Sequence, residues 1–176
     1  MITFRRAVST DAEKIADLHV KSWREHYRGS MTDHYLEKVA PTERLGVWRN
    51  RFLRADPKRW ILLAEIDDQL AGFICVEVAH DPVWGALLDN LHVNSDVQGQ
   101  GLGKQLLIAG AHHVLEQEEP TGMYLWVLTD NQSAIGFYQR LGGRQEGPAV
   151  QYTLAGNVTE VYRYAWTVEA LMALNG

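Results

Sequence analysis

The chain has 176 residues, 46% of them hydrophobic and 22% charged, and a formal net charge of −5. This length suits one well-buried domain, which we expect to span residues 1–176. The acidic balance argues against nucleic acid as a partner, and no apolar run approaches the ~20 residues that cross a membrane. The N-terminus lacks the basic-then-apolar layout of a signal peptide, and Cys75 is the single cysteine. Both observations predict a cytoplasmic protein.

The N-terminal part is predicted to contain one strand followed by helices. Residues 2–8 form the strand, and Thr10 with Glu13 matches a capping box for a helix that runs to Tyr27. Gly29 ends that helix, and further helical stretches begin at Thr32 and near residue 41. Residues 9–56 are therefore predicted to form a helical region within the domain.

The remainder alternates between strands and helices. Strands are predicted over residues 60–66 and 70–79, joined by a turn at 67–69, and again over 86–93, 123–128, 144–150 and 158–166. Helices follow residue 103 and cover 131–141, and the apolar tail 168–174 is helical as well. This order predicts an α/β fold with a mixed, mostly antiparallel sheet of about seven strands and helices on both faces.

Three alternating glycines stand between the predicted strand 86–93 and the next helix: Gly99, Gly101 and Gly103. Glycine lets main-chain N–H groups approach a ligand, and a helix N-terminus favours anions, so this turn predicts a phosphate site. A Walker A loop is excluded because Gln98 occupies its first glycine position, and a dinucleotide fingerprint is excluded because Lys104 occupies its last.

The spacing Gln98-x-x-Gly101-x-Gly103 resembles the acyl-CoA pyrophosphate loop of the GNAT (GCN5-related N-acetyltransferase) superfamily. Residues 131–142 resemble its motif N-x-x-A-x-x-F-Y-x-x-L-G, and residues 5–15 resemble its opening strand and helix. Ser95 departs from the family pattern, in which many members have proline at that position.

The resemblance implies that two central parallel strands, here those ending at Val93 and Leu128, splay into a V that receives the pantetheine arm of acetyl-CoA. Main-chain N–H near Val93 is the implied donor to the acetyl oxygen. Strand alternation turns the His92 side chain away from the Val93 face, so we expect it to be packed or solvent-facing. The implied cofactor-binding residues are Leu91, His92, Val93, Gln98, Gly99, Gln100, Gly101, Leu102, Gly103, Lys104 and Asn131.

The same resemblance implies that Tyr138 is the acid that protonates the departing CoA thiolate. The alternative is that Tyr138 only packs in the core beside its neighbour Phe137. The general base is open, because Leu87 occupies the place of the glutamate most often cited in the family. Asp89, four residues before Val93 on the same nominal strand face, is our candidate. Glu77, Glu65 and a water relay compete with it.

The helical region 9–56 is expected to form the acceptor side of the site. Trp23, Tyr27 and Tyr35 in that region are the predicted substrate-binding residues, although Trp23 and Tyr27 also fit one core face of a helix. The implied function is acetyl-CoA-dependent transfer of an acetyl group to a primary amine of a small molecule or peptide, by direct transfer in a ternary complex. The alternative function is a non-catalytic CoA-binding sensor or interaction domain.

The seven histidines show no metal-ligand spacing, so no metal is expected. A homodimer is a further expectation, since many relatives dimerise and the apolar tail offers a surface, unless that tail packs on its own domain.

Overall fold

A computed structural model describes residues 1–174 and gathers eight strands into one sheet. The elements are β1 (Ile2–Arg6), α1 (Ala12–His26), α2 (Ala40–Leu53), β2 (Arg59–Ile66), β3 (Gln69–Asp81), β4 (Gly85–Val93), α3 (Leu102–Leu115), β5 (Met123–Leu128), α4 (Gln132–Arg140), β6 (Arg144–Gln145), β7 (Val150–Leu154), β8 (Asn157–Trp166) and α5 (Val168–Ala173). The strand order is β1-β2-β3-β4-β5-β8-β6, with β7 also paired to β8. Among the strands of residues 1–174, β4 and β5 are the one parallel pair, which confirms the predicted mixed, mostly antiparallel sheet.

The predicted strand 144–150 is wrong, because the structure divides it into β6 and β7. Gly147 lies between them with φ of 81°, and Pro148 follows it. A left-handed residue bends the chain out of the strand, and proline has no N–H to give to a ladder. The other predicted strands agree with the structure to within two residues. The turn predicted at 67–69 is shorter than expected: Asp67 and Asp68, with φ of 49° and 61°, form a two-residue hairpin turn, and Gln69 already begins β3.

The predicted V is present between β4 and β5. These strands pair only at Ala86 with Met123 and at Leu87 with Tyr124, and then they separate. β5 is paired along its full length with β8, from Met123 opposite Trp166 to Leu128 opposite Val161. The edge of β4 that faces β5 is therefore left without a strand partner over residues 88–93.

Helices cover both faces of the sheet, and β3 shows how alternation divides the core between them. Ile74 packs with Leu106 and Leu107 in the cluster formed with α3 and α5. Phe73 packs with Ile15 of α1 and Trp48 of α2 on the opposite face. Each of these apolar side chains is fully buried, and such burial is worth about 1.5–3 kcal/mol per side chain.

A β-bulge interrupts β4 close to the V. Cys75 of β3 pairs with Asn90, whereas the next residue, Val76, pairs with Leu88. Asp89 is therefore an extra residue in β4, and it shifts the alternation of the strand by one position.

The bulge overturns the expectation that Asp89 shares a face with Val93. Leu88 and Leu91 both pack on the α3 side although they are three residues apart, and Val93 does so too. Asp89 instead faces α2, where its carboxylate pairs with Arg51 at 2.6 Å.

The start of α1 also differs from its prediction. Neither Thr10 nor Glu13 caps the helix; a 3₁₀ turn over Ser9–Asp11 precedes α1, and the Asp11 carboxylate accepts a hydrogen bond from the Val8 N–H at 2.8 Å. The same carboxylate receives two bonds of 2.8 Å from the Arg5 guanidinium. Arg5 also bonds Glu65, so β1, β2 and the start of α1 are joined by one ion network.

The helical stretches expected from Thr32 and from residue 41 are one continuous helix. A π-helical segment over Tyr35–Val39 leads directly into α2, and Pro41 lies in the first turn of α2. In an α-helix, a proline ring clashes with the carbonyl group four residues earlier. A π turn is wider than an α turn and displaces that carbonyl from the ring, so Pro41 does not break the helix.

The apolar tail forms the expected helix, α5. Leu171 and Leu174 are buried in the α3 cluster, whereas Met172 is 58% exposed. This packing supports the alternative that the tail covers its own domain. Among the helices of residues 1–174, none is both long enough and apolar enough to cross a membrane.

Candidate active site

A cavity of about 470 Å³ opens where β4 and β5 separate. It is bounded by the end of β4, the glycine turn, the start of α3, β5, α4 and the last turns of α1. Every residue predicted to bind the cofactor lines it except Gln100, which is exposed. Its lining is Ser22, His26, Tyr27, Leu91, His92, Val93, Val97, Gln98, Gly99, Gly101, Leu102, Gly103, Lys104, Trp126, Val127, Asn131, Ser133, Ala134, Phe137, Tyr138 and Arg140.

The glycine turn aims main-chain N–H groups into this cavity. Gly99 and Gly101 have φ of 78° and 80°, and Gly101 is the N-cap of α3. The N–H groups of the first helical turn have no partner within the helix and form an anion site. A Cβ added to Gly101 would meet nothing within 4 Å. The positive φ, rather than crowding, is thus what requires glycine here.

Two further contacts hold the turn in place. The Gln98 side-chain amide donates to the Val93 carbonyl at 3.1 Å, which ties the turn to the end of β4. A Cβ on Gly103 would lie 3.4 Å from the Phe137 ring, so this glycine lies where α3 approaches α4.

Lys104 and Arg140 supply positive charge at the cavity. Arg140 was not predicted, because it occupies an unspecified position of the motif 131–142.

Asn131 and Tyr138 lie at the two ends of the α4 motif. The Asn131 side chain caps α4 by accepting from the Ala134 N–H at 3.1 Å, as its residue type favours. Seven residues later, about two turns, Tyr138 reaches the same cavity. Its ring packs against Phe137 and Trp166 at centroid distances of 5.2 and 5.9 Å.

The Tyr138 hydroxyl has no hydrogen-bond partner among residues 1–174. Burial raises the pKa of Tyr138 well above 10, and the nearby Tyr27 raises it further. The phenol therefore stays protonated at neutral pH and is a free donor inside the cavity.

His92 faces α1, away from Val93, as the alternation predicted. Its Nδ1 lies 2.8 Å from the Ser22 hydroxyl, and its ring centroid is 4.5 Å from that of His19. Burial, with a smaller contribution from His26, lowers the pKa of His92 to about 3. The residue is thus a packed, neutral imidazole that also borders the cavity.

None of the three carboxylates considered as general base lines the cavity. Asp89 pairs with Arg51 at 2.6 Å, Glu77 with Arg59 at 2.8 Å, and Glu65 with Arg5 at 2.8 Å. Each is held by a guanidinium, so each has a structural role independent of catalysis.

Of the three aromatic residues assigned to the acceptor, Tyr27 alone lines the cavity. Trp23 is 8% exposed, and the Arg44 guanidinium stacks 4.8 Å from its ring. The Tyr35 hydroxyl donates to Glu43 at 2.8 Å, and burial together with this carboxylate raises the pKa of Tyr35 to about 12. Trp23 and Tyr35 therefore support the wall behind Tyr27.

Ser22 and His26 of α1 also line the cavity, on the same side as Tyr27. Ser22 was not predicted, and its i, i+4 spacing from His26, which places the two on one helix face, is the signal that could have identified it. Trp126 on β5, which is 39% exposed at the cavity, was not predicted either.

Comparison with known proteins decides the family. The sequence profile of the acetyltransferase (GNAT) family matches residues 14–143. The chain belongs to the GNAT family. YuaI of Bacillus subtilis (strain 168), an uncharacterized N-acetyltransferase, is 30% identical over 143 residues, which are 79% of this chain and 78% of that protein.

Two further likenesses have different weight. A mycothiol acetyltransferase of Streptomyces coelicolor is 41% identical over 80 residues, 46% of this GNAT chain but only 25% of that longer protein. The crystal structure of the PaiA N-acetyltransferase from Thermoplasma acidophilum in complex with coenzyme A has a TM-score of 0.74 at 21% identity, covering 94% of this chain and 99% of that one. At that identity the likeness shows the fold.

The predicted family, fold class and enzyme class are thereby confirmed: this GNAT protein is an N-acetyltransferase. Membership supports acetyl-CoA as the co-substrate, and the cavity described above has donors suited to a pyrophosphate.

Proposed function

We propose that this enzyme transfers the acetyl group of acetyl-CoA directly to a primary amine of a small molecule or peptide, with both substrates bound at once. The observation that carries this proposal is the cavity at the V between β4 and β5. It combines an N–H-rich glycine turn on one side with an unengaged Tyr138 phenol on another.

The CoA side is supported by local rather than global electrostatics, since the net charge is −5. The first-turn N–H groups of α3 suit the pyrophosphate, and Lys104 and Arg140 add cations near it. The edge of β4 left unpaired beyond Leu87 suits an extended pantetheine arm, which can bond to main chain as an added strand does.

Strand geometry supports Val93 as the donor to the acetyl oxygen. The Asn94 N–H bonds the Ala71 carbonyl of the neighbouring chain segment at 2.8 Å. Since successive N–H groups point to opposite edges of an extended strand, the Val93 N–H is directed towards the V. A main-chain donor in that place stabilises the oxyanion as the carbonyl gains charge.

Direct transfer, rather than an acetylated enzyme, is supported by the environment of Cys75. It is the single cysteine, lies in β3 and is fully buried. Burial, with help from nearby Asp89, raises the pKa of its thiol well above the ordinary value. A covalent route through cysteine requires an accessible thiolate, and Cys75 supplies neither access nor charge.

We assign Tyr138 as the acid that protonates the departing thiolate and Tyr27, with Ser22 and His26, as the wall facing the acceptor. Asp89 as general base stays a prediction. Asp89→Asn would then lower kcat at least ~100-fold. A variant that keeps kcat but loses stability would assign Asp89 to its ion pair with Arg51 alone, leaving the amine proton to a water relay.

Isothermal titration calorimetry with acetyl-CoA, followed by a screen of amines, amino acids and peptides for acetylated product, tests the proposal. Binding at micromolar ligand together with turnover of an amine is expected. No binding at high micromolar acetyl-CoA would refute it, and binding without turnover of any acceptor would favour the sensor.

A cytoplasmic location, a single domain and a homodimer remain predictions. Mass photometry tests whether the protein is a homodimer.

A further inference from the structure

An arginine is clamped between two tryptophans beside the V, one on β5 and the other in the turn between β3 and β4. The Arg163 guanidinium carbon lies 4.3 Å from the Trp84 ring centroid and 4.6 Å from that of Trp126. Arg163 of β8 is directly opposite Trp126 of β5 in the sheet register. Trp126 in turn borders the cavity, so the clamp is continuous with the acceptor side of the site.

This guanidinium has no anionic partner within the described part of the chain. Arg51 and Arg59 each pair with a carboxylate, but no carboxylate of residues 1–174 lies within 4.0 Å of Arg163. Its Nε is buried without any acceptor. The nearby Asp81 is engaged elsewhere, since its carboxylate accepts from the N–H groups of Val83 and Trp84 at 2.8 and 2.9 Å.

A fixed and unpaired guanidinium is an anion receptor. Stacking between two indoles fixes the plane of the group and leaves its N–H edge to the side, where a carboxylate can accept two parallel bonds. A buried N–H without an acceptor is unfavourable, and native structures resolve it by a ligand or ordered water. Trp126 and Arg163 lie on paired strands, and Trp84 lies in the short turn between β3 and β4, so the three side chains are positioned before any ligand arrives.

We propose that the clamp of Trp84, Arg163 and Trp126 binds a carboxylate of the acceptor. This inference rests on the proposed function and narrows its acceptor to amines that also carry a carboxylate. Trp126 lines the cavity, whereas Arg163 contacts the Trp126 ring and does not itself line the cavity. A carboxylate that reaches Arg163 is therefore several bonds away from the reacting nitrogen. An ω-amino acid or a short peptide has this chemistry, whereas a simple alkylamine does not.

NMR spectroscopy tests the subsite without requiring turnover. The probe is 6-acetamidohexanoate, and N-hexylacetamide is its neutral counterpart. The carboxylate should shift the Arg163 Nε–H and Trp126 indole N–H resonances with saturation at millimolar concentration, and the neutral amide should not. Absence of both shifts at ~50 mM carboxylate would overturn the proposal.

Two variants make the result specific. Arg163→Gln should abolish the Trp126 shift. Arg163→Lys, which keeps the charge without the planar fork, should weaken the affinity for the carboxylate about tenfold or more. Arg144→Gln is the matched control, because Arg144 is an exposed arginine on the adjacent strand β6. An unchanged Trp126 shift in Arg163→Gln would overturn the proposal.

Kinetics separates this proposal from the proposed function. The enzyme should prefer 6-aminohexanoate to hexylamine by about 10- to 100-fold in kcat/KM, through KM, and Arg163→Gln should remove that preference while acetyl-CoA affinity stays unchanged. Equal use of both amines would overturn the subsite alone. Failure to bind acetyl-CoA, with the NMR shift intact, would overturn the proposed function and leave the anion subsite standing.

Discussion

Replacing Tyr138 by phenylalanine removes one oxygen atom and leaves the packing in place. The ring keeps its contacts with Phe137 and Trp166, and the lost hydroxyl has no partner among residues 1–174. We therefore expect the free energy of unfolding to change by no more than ~0.5 kcal/mol. If the phenol is the acid, kcat should fall about 10²- to 10⁴-fold, equivalent to roughly 2.7–5.5 kcal/mol in activation free energy.

The assay follows CoA release under saturating acetyl-CoA, with acetyl-CoA affinity measured in parallel. Affinity should change less than ~10-fold, the value of one neutral hydrogen bond. Because burial raises the pKa of Tyr138, its proton is present throughout the range below pH 10, and the wild-type rate should show no decline there from loss of this acid.

Tyr164→Phe is the matched control. Its hydroxyl accepts from the Gln139 amide at 2.9 Å, and Tyr164 does not line the cavity. This variant should lose about 1 kcal/mol of stability and keep its kcat. A Tyr138→Phe enzyme that retains kcat within twofold, or one as unstable as the control, would show that the reasoning about Tyr138 is wrong.

Two other substitutions test the glycine turn and the ion network. Gly101→Ala must hold alanine at φ of 80°, a cost of about 1–2 kcal/mol, and should weaken acetyl-CoA binding about 5- to 30-fold by calorimetry; Gly46→Ala, in α2 with equally open space, should not. Asp11→Asn should lower stability in urea by about 2 kcal/mol at pH 7, a value discounted because Arg5 is 38% exposed. The Arg5 guanidinium holds the pKa of Asp11 well below its unfolded value, so this stabilisation is present above about pH 4 and is lost as the pH falls further. The gap between wild type and Asp11→Asn should therefore narrow below pH 4, and a constant gap would contradict the assignment.

Local patterns predicted what local chemistry determines. The two aspartates at 67 and 68 specify their hairpin turn, and Asn131 caps α4 because its side chain accepts from a nearby N–H. The glycine turn was recognisable because positive φ at Gly99 and Gly101 restricts the residue type. Family resemblance added the V, which no periodicity in the chain reveals.

Features that depend on pairing between distant segments were not predictable. The bulge at Asp89 arises from the register of β3 against β4, and it reversed the face expected from simple alternation. Arg163 meets Trp126 only because β8 pairs antiparallel with β5. Pro41 by itself predicts the start of a helix, but the helix continues through it because a π-helical segment precedes α2.

β5 depends on the last strand of the chain for its place in the sheet. It shares two residue pairs with β4 and six with β8, which begins almost thirty residues after β5 ends. During synthesis each of the strands β2 to β4 can pair with the strand made before it. β5, in contrast, stays at an open edge of the sheet until β8 has emerged as far as residue 166. The V is thus the border between an early-assembling and a late-assembling half of the sheet. A molecule seated in it contacts both halves, so it should favour completion of the fold as well as catalysis.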